Sequence, residues 1–329
     1  MVLHHDIELL PSGNILALLW QRRTYDEAVQ AGRNPESLES DLGMLEEKVI
    51  ELKRVVNPDG TDSWEIVWQW SMWDHFIQTD YPDKDNYVEG DVSDYPHLID
   101  INYNLDTDTS IDVFHVNAVF YLERYDQIVL TSHFNSELWV IDHSTTTAEA
   151  ATSSGGKYQQ GGDLLYRWGN AQAYGYSDER YTFLSGVHDP SFVYNSLSDN
   201  KVGTFFMYDN NRDSGENTQV IEMNPPLTSD GQYLIGVDVE GVYGPIKTML
   251  QADLGFQQDR LGTVKRLSSG EIFTCNCAGT GEALWLDKQG KLMASMTLSS
   301  NTIGASNAPE VYRIQHYWST DEAIKQIEK

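Results

Sequence analysis

His4-His5-Asp6-Ile7-Glu8-Leu9-Leu10-Pro11-Ser12-Gly13-Asn14-Ile15-Leu16-Ala17-Leu18-Leu19-Trp20 opens the chain and decides its fold. An alternating run meets a Pro-Ser-Gly-Asn turn and is answered by a second apolar run, the pattern of a β-hairpin. The design recurs. His115 heads His115-Val116-Asn117-Ala118-Val119-Phe120-Tyr121-Leu122, a turn follows at 124–127, and 128–132 forms the return strand. His188 heads His188-Asp189-Pro190-Ser191-Phe192-Val193-Tyr194, and a fourth copy starts at Gly262 without a His.

Each hairpin continues into further local strands. The first is extended by 48–54 and 64–70 across the turn Asn57-Pro58-Asp59-Gly60, and the second by 137–142 and 163–168. The third runs through 203–209 and 218–223 to a weaker strand near 233–235. The fourth runs through 272–277 and 282–287 to 292–296, and a closing strand is expected at 311–317. Units start at 5, 115, 188 and 262, so the last two steps are 73 and 74 residues. Repeated four-stranded meanders predict an all-β fold, a β-propeller in one domain spanning 1–329, with about four complete blades and a closing strand. Inserts interrupt the units at 21–47, 71–112 and 144–162. In the first, Thr24 and Glu27 have capping-box spacing and Gly32 suits the end of a short helix.

Lys plus Arg number 22 against 50 Asp plus Glu, a formal net charge of −28. That sign argues against nucleic-acid or anionic-membrane partners and predicts an acidic, solvated surface. No apolar run approaches the roughly 20 residues of a membrane span. The two cysteines, Cys275 and Cys277, fall on the same face of a strand, a spacing read here as two buried thiols rather than a mutual disulfide.

In a propeller the first strand of each blade lines the central channel, so His residues heading those strands converge there. Converging imidazoles exchange protons near neutral pH and, when protonated, donate to an oxyanion. The same cluster suits a divalent metal, but no local ligand spacing supports one, and neither a metal nor a cofactor is expected. The structural alternative is that each His bonds backbone at a blade junction. Trp and Tyr at strand ends are likewise more often blade core than substrate platforms.

Several phrases together resemble the arylsulfotransferase family, in its arylsulfotransferase-like bacterial branch. They are His4-His5-Asp6-x-Glu8-x-Leu10-Pro11-x-Gly13-Asn14, Trp73-Asp74-His75, Leu98-Ile99-Asp100-Ile101-Asn102-Tyr103, Trp139-Val140-Ile141-Asp142-His143, Leu164-Leu165-Tyr166-Arg167-Trp168-Gly169-Asn170 and Gly186-x-His188-Asp189. The resemblance implies a six-bladed propeller, export to the periplasm or outside the cell, and transfer of a sulfuryl group between phenols through a histidine intermediate without a nucleotide donor. An aryl sulfate and a phenol acceptor would be the partners. Carried over position by position, it implies His5 (or His4), His188 and Arg212 as catalytic residues; the repeat adds His115. His4, His75, Asn117 and Asn210 are the substrate-binding candidates. Sulfuryl transfer is close to phosphoryl transfer, in which positioning and stabilisation of spread charge do most of the work, and Arg212 offers a planar charged fork. The later nucleophilic His has no match between His188 and the C-terminal strand, where His316 stands alone. Relatives also carry strands before the first motif, so self-association or a missing segment would close the ring. A polysaccharide lyase and a non-catalytic binding propeller remain as alternatives.

Overall fold

A computed structural model describes residues 1–39, 42–104, 111–194, 202–212, 214–277 and 281–297. The first meander comprises β1 (Val2–Leu9), β2 (Ile15–Arg23), β3 (Met44–Val56) and β4 (Asp62–Ser71). Two short strands, β5 (Phe76–Ile77) and β6 (Ile99–Asp100), pair in parallel within the excursion that follows. The second sheet is β7 (Val116–Leu122), β8 (Gln127–Ser132), β9 (Glu137–Asp142) and β10 (Tyr166–Trp168). The third is β11 (Val187–Tyr194), β12 (Gly203–Asp209), β13 (Gln219–Met223) and β14 (Leu250–Asp253). The fourth is β15 (Val264–Arg266), β16 (Ile272–Asn276), β17 (Glu282–Leu286) and β18 (Leu292–Thr297). All four sheets are antiparallel, with strands paired in chain order.

Side-chain alternation shows how the sheets stack. Ile128, Leu130, Trp139 and Ile141 pack with Leu16, Leu18, Val49 and Trp70 of the first sheet. Val129, Leu138 and Val140 point the other way, onto Phe205, Met207, Ile221 and Met223 of the third. Phe206, Tyr208 and Val220 then meet Val264, Ile272 and Leu284 of the fourth. Strands of the middle sheets are therefore apolar on both faces, whereas β1 leaves Ile7 60% and Leu9 70% exposed. Meanders packed face to face in chain order make a propeller-like all-β arrangement.

The first strands of successive sheets are stitched side by side by one polar residue each. Asp6 Oδ2 accepts from Val119 N–H on β7 at 3.1 Å. Asn117 Nδ2 donates to Val187 O on β11 at 2.9 Å. Asp189 Oδ2 accepts from Val264 N–H on β15 at 2.9 Å.

The helix in the first insert forms as expected: α1 (Tyr25–Gln30) has a complete Thr24–Glu27 capping box, and Gly32 sits at φ +94° just past its end. Because β2 runs on to Arg23 and β3 starts at Met44, that insert is shorter than 21–47. A second short helix, α2 (Thr147–Ala150), lies in the 144–162 insert behind its own capping box at Thr146 and Glu149.

Two expectations are corrected. The last strand of the third sheet is β14, not 233–235. The Tyr233 ring stacks on Tyr166 of the second sheet at 4.5 Å, which holds its segment as a packed loop. Cys275 and Cys277 are bonded to one another. The strand ends at Asn276, and the two Cα atoms lie 5.6 Å apart, within disulfide range. The closing strand at 311–317, with His316, lies outside the described residues.

Candidate functional site

A hairpin fixes what lies across from its first residue. Val116 pairs with Ser132, so the next residue back, His115, meets His133: its carbonyl accepts from His133 N–H at 3.1 Å. Stitching the first strands then places the imidazoles in a row. Ring centroids lie 5.0 Å apart for His4–His5, 4.5 Å for His5–His115, 5.5 Å for His115–His133 and 5.0 Å for His133–His188. Phe134 packs on His115 at 5.1 Å and on His133 at 5.4 Å, and the Arg212 guanidinium lies 4.9 Å from the Phe134 ring centre. His5, His115 and His188, the three His heads of the repeat, thus lie in one row, with His4 beside His5 and Arg212 on Phe134. His133 is an addition; the register of the second hairpin, read as carefully as its His heads, would have found it.

The backbone is bent to present these groups. His5 has φ +48°, His115 φ +50° and Asp189 φ +45°, each beside a register break in its strand. Left-handed conformations are uncommon for side-chain-bearing residues and persist where the surroundings enforce them.

Each imidazole is held differently. His115 Nδ1 lies 2.6 Å from Asp112 Oδ2, and the ring keeps 25% of its side-chain surface. His188 is buried: Leu261 N–H donates to its Nε2 at 3.3 Å, so Nδ1 carries the proton that Asn210 Oδ1 accepts at 2.6 Å. Asn210 is fixed in turn by donating to Gln258 O and Leu261 O. His4 stacks on Trp20 at 4.1 Å and reaches Glu47 Oε2 at 3.0 Å through Nε2. Glu47 Oε1 accepts from Trp20 Nε1 and Val116 N–H.

Burial, and then the neighbouring charges, set the protonation. Burial lowers the pKa of His4 to about 4, of His5 to about 3 and of His188 to about 3, and drives His133 well below its ordinary value; neighbouring imidazoles push the same way. Burial pushes Glu47 up to about 8, reinforced by Asp112. His4 and Glu47 therefore meet as two neutral groups rather than as an ion pair. Burial thus keeps His4, His5, His133 and His188 as neutral rings near pH 7, which corrects the expectation of protonated imidazoles at those positions, while Arg212 brings a permanent charge.

The other expected residues are held by scaffold contacts as well. Asn117 is the stitch between β7 and β11, and its Oδ1 also accepts from Thr131 Oγ1. Asn210 orients His188. His75 is placed apart from the row: it is buried, stacked on Trp70 at 5.6 Å and bonded to Asp163 Oδ1 at 2.7 Å and Ala150 O at 2.9 Å. Among the described residues no three His, Cys, Asp or Glu are gathered to hold a metal ion.

A family model described as arylsulfotransferase (ASST) matches residues 1–235. No curated protein matches the chain. A solved structure, described as a protein of unknown function from Bacteroides caccae, is similar over 91% of this chain and 68% of its own, at 11% identity and a TM-score of 0.39.

Proposed function

The chain belongs to the arylsulfotransferase family, and from that premise we propose that it transfers a sulfuryl group from an aryl sulfate to a phenol, with His115 as the reacting group. The observation that carries this is the Asp112–His115 pair beside the Arg212–Phe134 contact and within the row of imidazoles. Asp112 holds the Nδ1 proton of His115 and leaves Nε2 as the ring's lone-pair nitrogen. In the forward half, that lone pair bonds to sulfur, the sulfur–aryloxy bond breaks, and the departing phenolate takes a proton from solvent. In the return half, the acceptor phenol loses its proton to solvent, its oxygen bonds to sulfur, and the sulfur–nitrogen bond breaks. Arg212 and the N–H groups around it meet the charge spread over the sulfuryl oxygens. His5 and His188 shape the row, His188 through a fixed tautomer.

The whole chain, 1–329, forms one propeller domain in this reading, with the row of imidazoles in its channel. Support comes from the side-by-side first strands and from the exposed apolar residues Ile7, Leu9 and Ile66 of the first sheet, which suit a further packed neighbour.

The test is release of nitrophenol from 4-nitrophenyl sulfate with and without phenol. Acceptor-dependent release, and a protein mass increased by one sulfuryl group when the acceptor is withheld, are expected. Hydrolysis that ignores the acceptor would defeat the transfer reading, and an unsaturated uronate product from an acidic polysaccharide would favour a lyase.

A further inference from the structure

The long connections between strands gather at a second place, away from the imidazole row. Pro96 and His97 from the first excursion, Ser153 and Gln160 from the 144–162 insert, and Ile235 and Tyr243 from the β13–β14 connection line a pocket of about 390 Å³ around Asp163. Long connections without regular structure are where binding sites collect.

Asp163 is 1% exposed, and its two carboxylate oxygens differ. Oδ1 is taken by His75 Nδ1. Oδ2 is buried with no hydrogen-bond donor among the described residues, and His97 Nε2 stands 3.8 Å away, beyond hydrogen-bond reach. A buried carboxylate oxygen left unmatched costs free energy, roughly 1–3 kcal/mol or more for a charged group, so its persistence beside a cavity points to a donor arriving from outside. Burial holds the His97 ring below its ordinary pKa, against the pull of Asp163, which favours its neutral form as a second acceptor.

We propose that this pocket binds a small primary amine as its ammonium ion, the N–H groups bridging Asp163 Oδ2 and His97 Nε2 and the apolar body lying against Tyr243, Pro96 and Ile235. Two acceptor atoms 3.8 Å apart suit one nitrogen carrying several donors. The charge of an ammonium matches the buried carboxylate, and charge-assisted hydrogen bonds are the stronger kind. The aromatic and aliphatic walls add burial for an apolar substituent. This site is independent of the sulfuryl chemistry.

The probes are benzylamine and its neutral counterpart benzyl alcohol, titrated into the full chain by calorimetry and ligand-observed NMR at pH 7.5. Saturable benzylamine binding is expected, at least about tenfold tighter than the alcohol. Asp163→Asn keeps an acceptor for His75 and removes the charge; it lowers amine affinity at least about tenfold. Because Asp163 also holds His75, a second variant avoids the buried pair: Ile235→Trp, at a side chain 44% exposed on the pocket's rim, blocks amine binding while leaving the melting temperature unchanged. Equal binding of amine and alcohol, no saturable amine binding, or amine binding unaltered in both variants would overturn the proposal. The last two are what a pocket holding only a bridging water gives.

Discussion

Asp112 Oδ2 lies 2.6 Å from His115 Nδ1, on an imidazole of the central row that keeps a quarter of its side-chain surface open. The pair divides the ring's labour: one nitrogen is held, the other is available. His115→Gln is therefore expected to lower kcat at least about 10³-fold, and Asp112→Asn about 10²-fold through loss of ring orientation, within the range of positioned acid–base groups. Steady-state kinetics with 4-nitrophenyl sulfate and phenol decide it. Wild-type turnover in His115→Gln would remove His115 from the reaction.

Arg212 tests whether a planar fork or only a charge is needed. Arg212→Ala is expected to lower kcat/KM at least about 10²-fold, and Arg212→Lys to recover less than a tenth of the loss, because an ammonium is a point donor without the bidentate geometry. His188→Ala is expected to abolish turnover for a different reason. Its two nitrogens are used by Leu261 N–H and Asn210, so its loss frees the 258–261 loop rather than a reacting atom. Asn210→Ala then reproduces part of the effect and destabilises the fold by about 1–3 kcal/mol, since the buried His188 Nδ1–H loses its acceptor and Gln258 O and Leu261 O each lose one of their donors. Equal losses in Arg212→Lys and Arg212→Ala, together with a fully active Asn210→Ala, would contradict this division of roles.

The His4–Glu47 pair predicts opposite pH responses from its two members. Burial raises Glu47 from 4.5 to about 8, so the unfolded chain ionises first and stability falls as pH rises across that interval. Burial lowers His4 from 6.5 to about 4, so stability falls as pH drops from 6.5 towards 4. Relative to wild type, Glu47→Gln should gain stability between pH 5 and 8, and His4→Gln should gain it below pH 6.5. Each pKa unit corresponds to about 1.4 kcal/mol. Melting temperatures from pH 4 to 9 check both slopes; parallel profiles for all three proteins would refute the pairing. His143 adds to the alkaline loss. Burial works against its charge, but Asp126 at 2.7 Å and Glu51 at 3.1 Å outweigh it and hold its pKa above the usual value, so that contribution fades as pH rises past it.

Much of this architecture is legible in the sequence because period-2 alternation and local turns write each meander independently of its neighbours. The His heads at 5, 115 and 188 could be aligned for the same reason. What the alternation does not carry is contact between units. His133 ends a return strand, and only the pairing Val116–Ser132 brings it to His115. Glu47 reads as an exposed charge beside Glu46 and Lys48, yet the β2–β3 register sets it opposite Trp20, under His4. His75 sits in a phrase as recognisable as the others, but the excursion turns it to Asp163, a partner 88 residues away. At 233–235 an aromatic stack on the neighbouring sheet outweighs a weak strand pattern.

The second sheet carries the strongest stability prediction. Arg167 and Glu137 are fully buried; Nε and Nη2 donate to the two carboxylate oxygens at 2.8 and 2.5 Å, Nη1 donates to Leu98 O at 2.8 Å, and Trp139 Nε1 donates to Glu137 Oε2 at 3.0 Å. Breaking a buried pair from one side leaves the other charge stranded, which costs about 3–5 kcal/mol, whereas replacing both partners with packed apolar groups is often neutral. Arg167→Met alone should therefore destabilise the protein by that amount. Arg167→Met combined with Glu137→Leu should recover most of the loss in the sheet but not the tie to Leu98, which anchors the excursion carrying His97. Denaturant unfolding of the two variants measures the difference. If the single variant is as stable as the wild type, the pair is not bearing a buried charge, and the double variant then has nothing to recover.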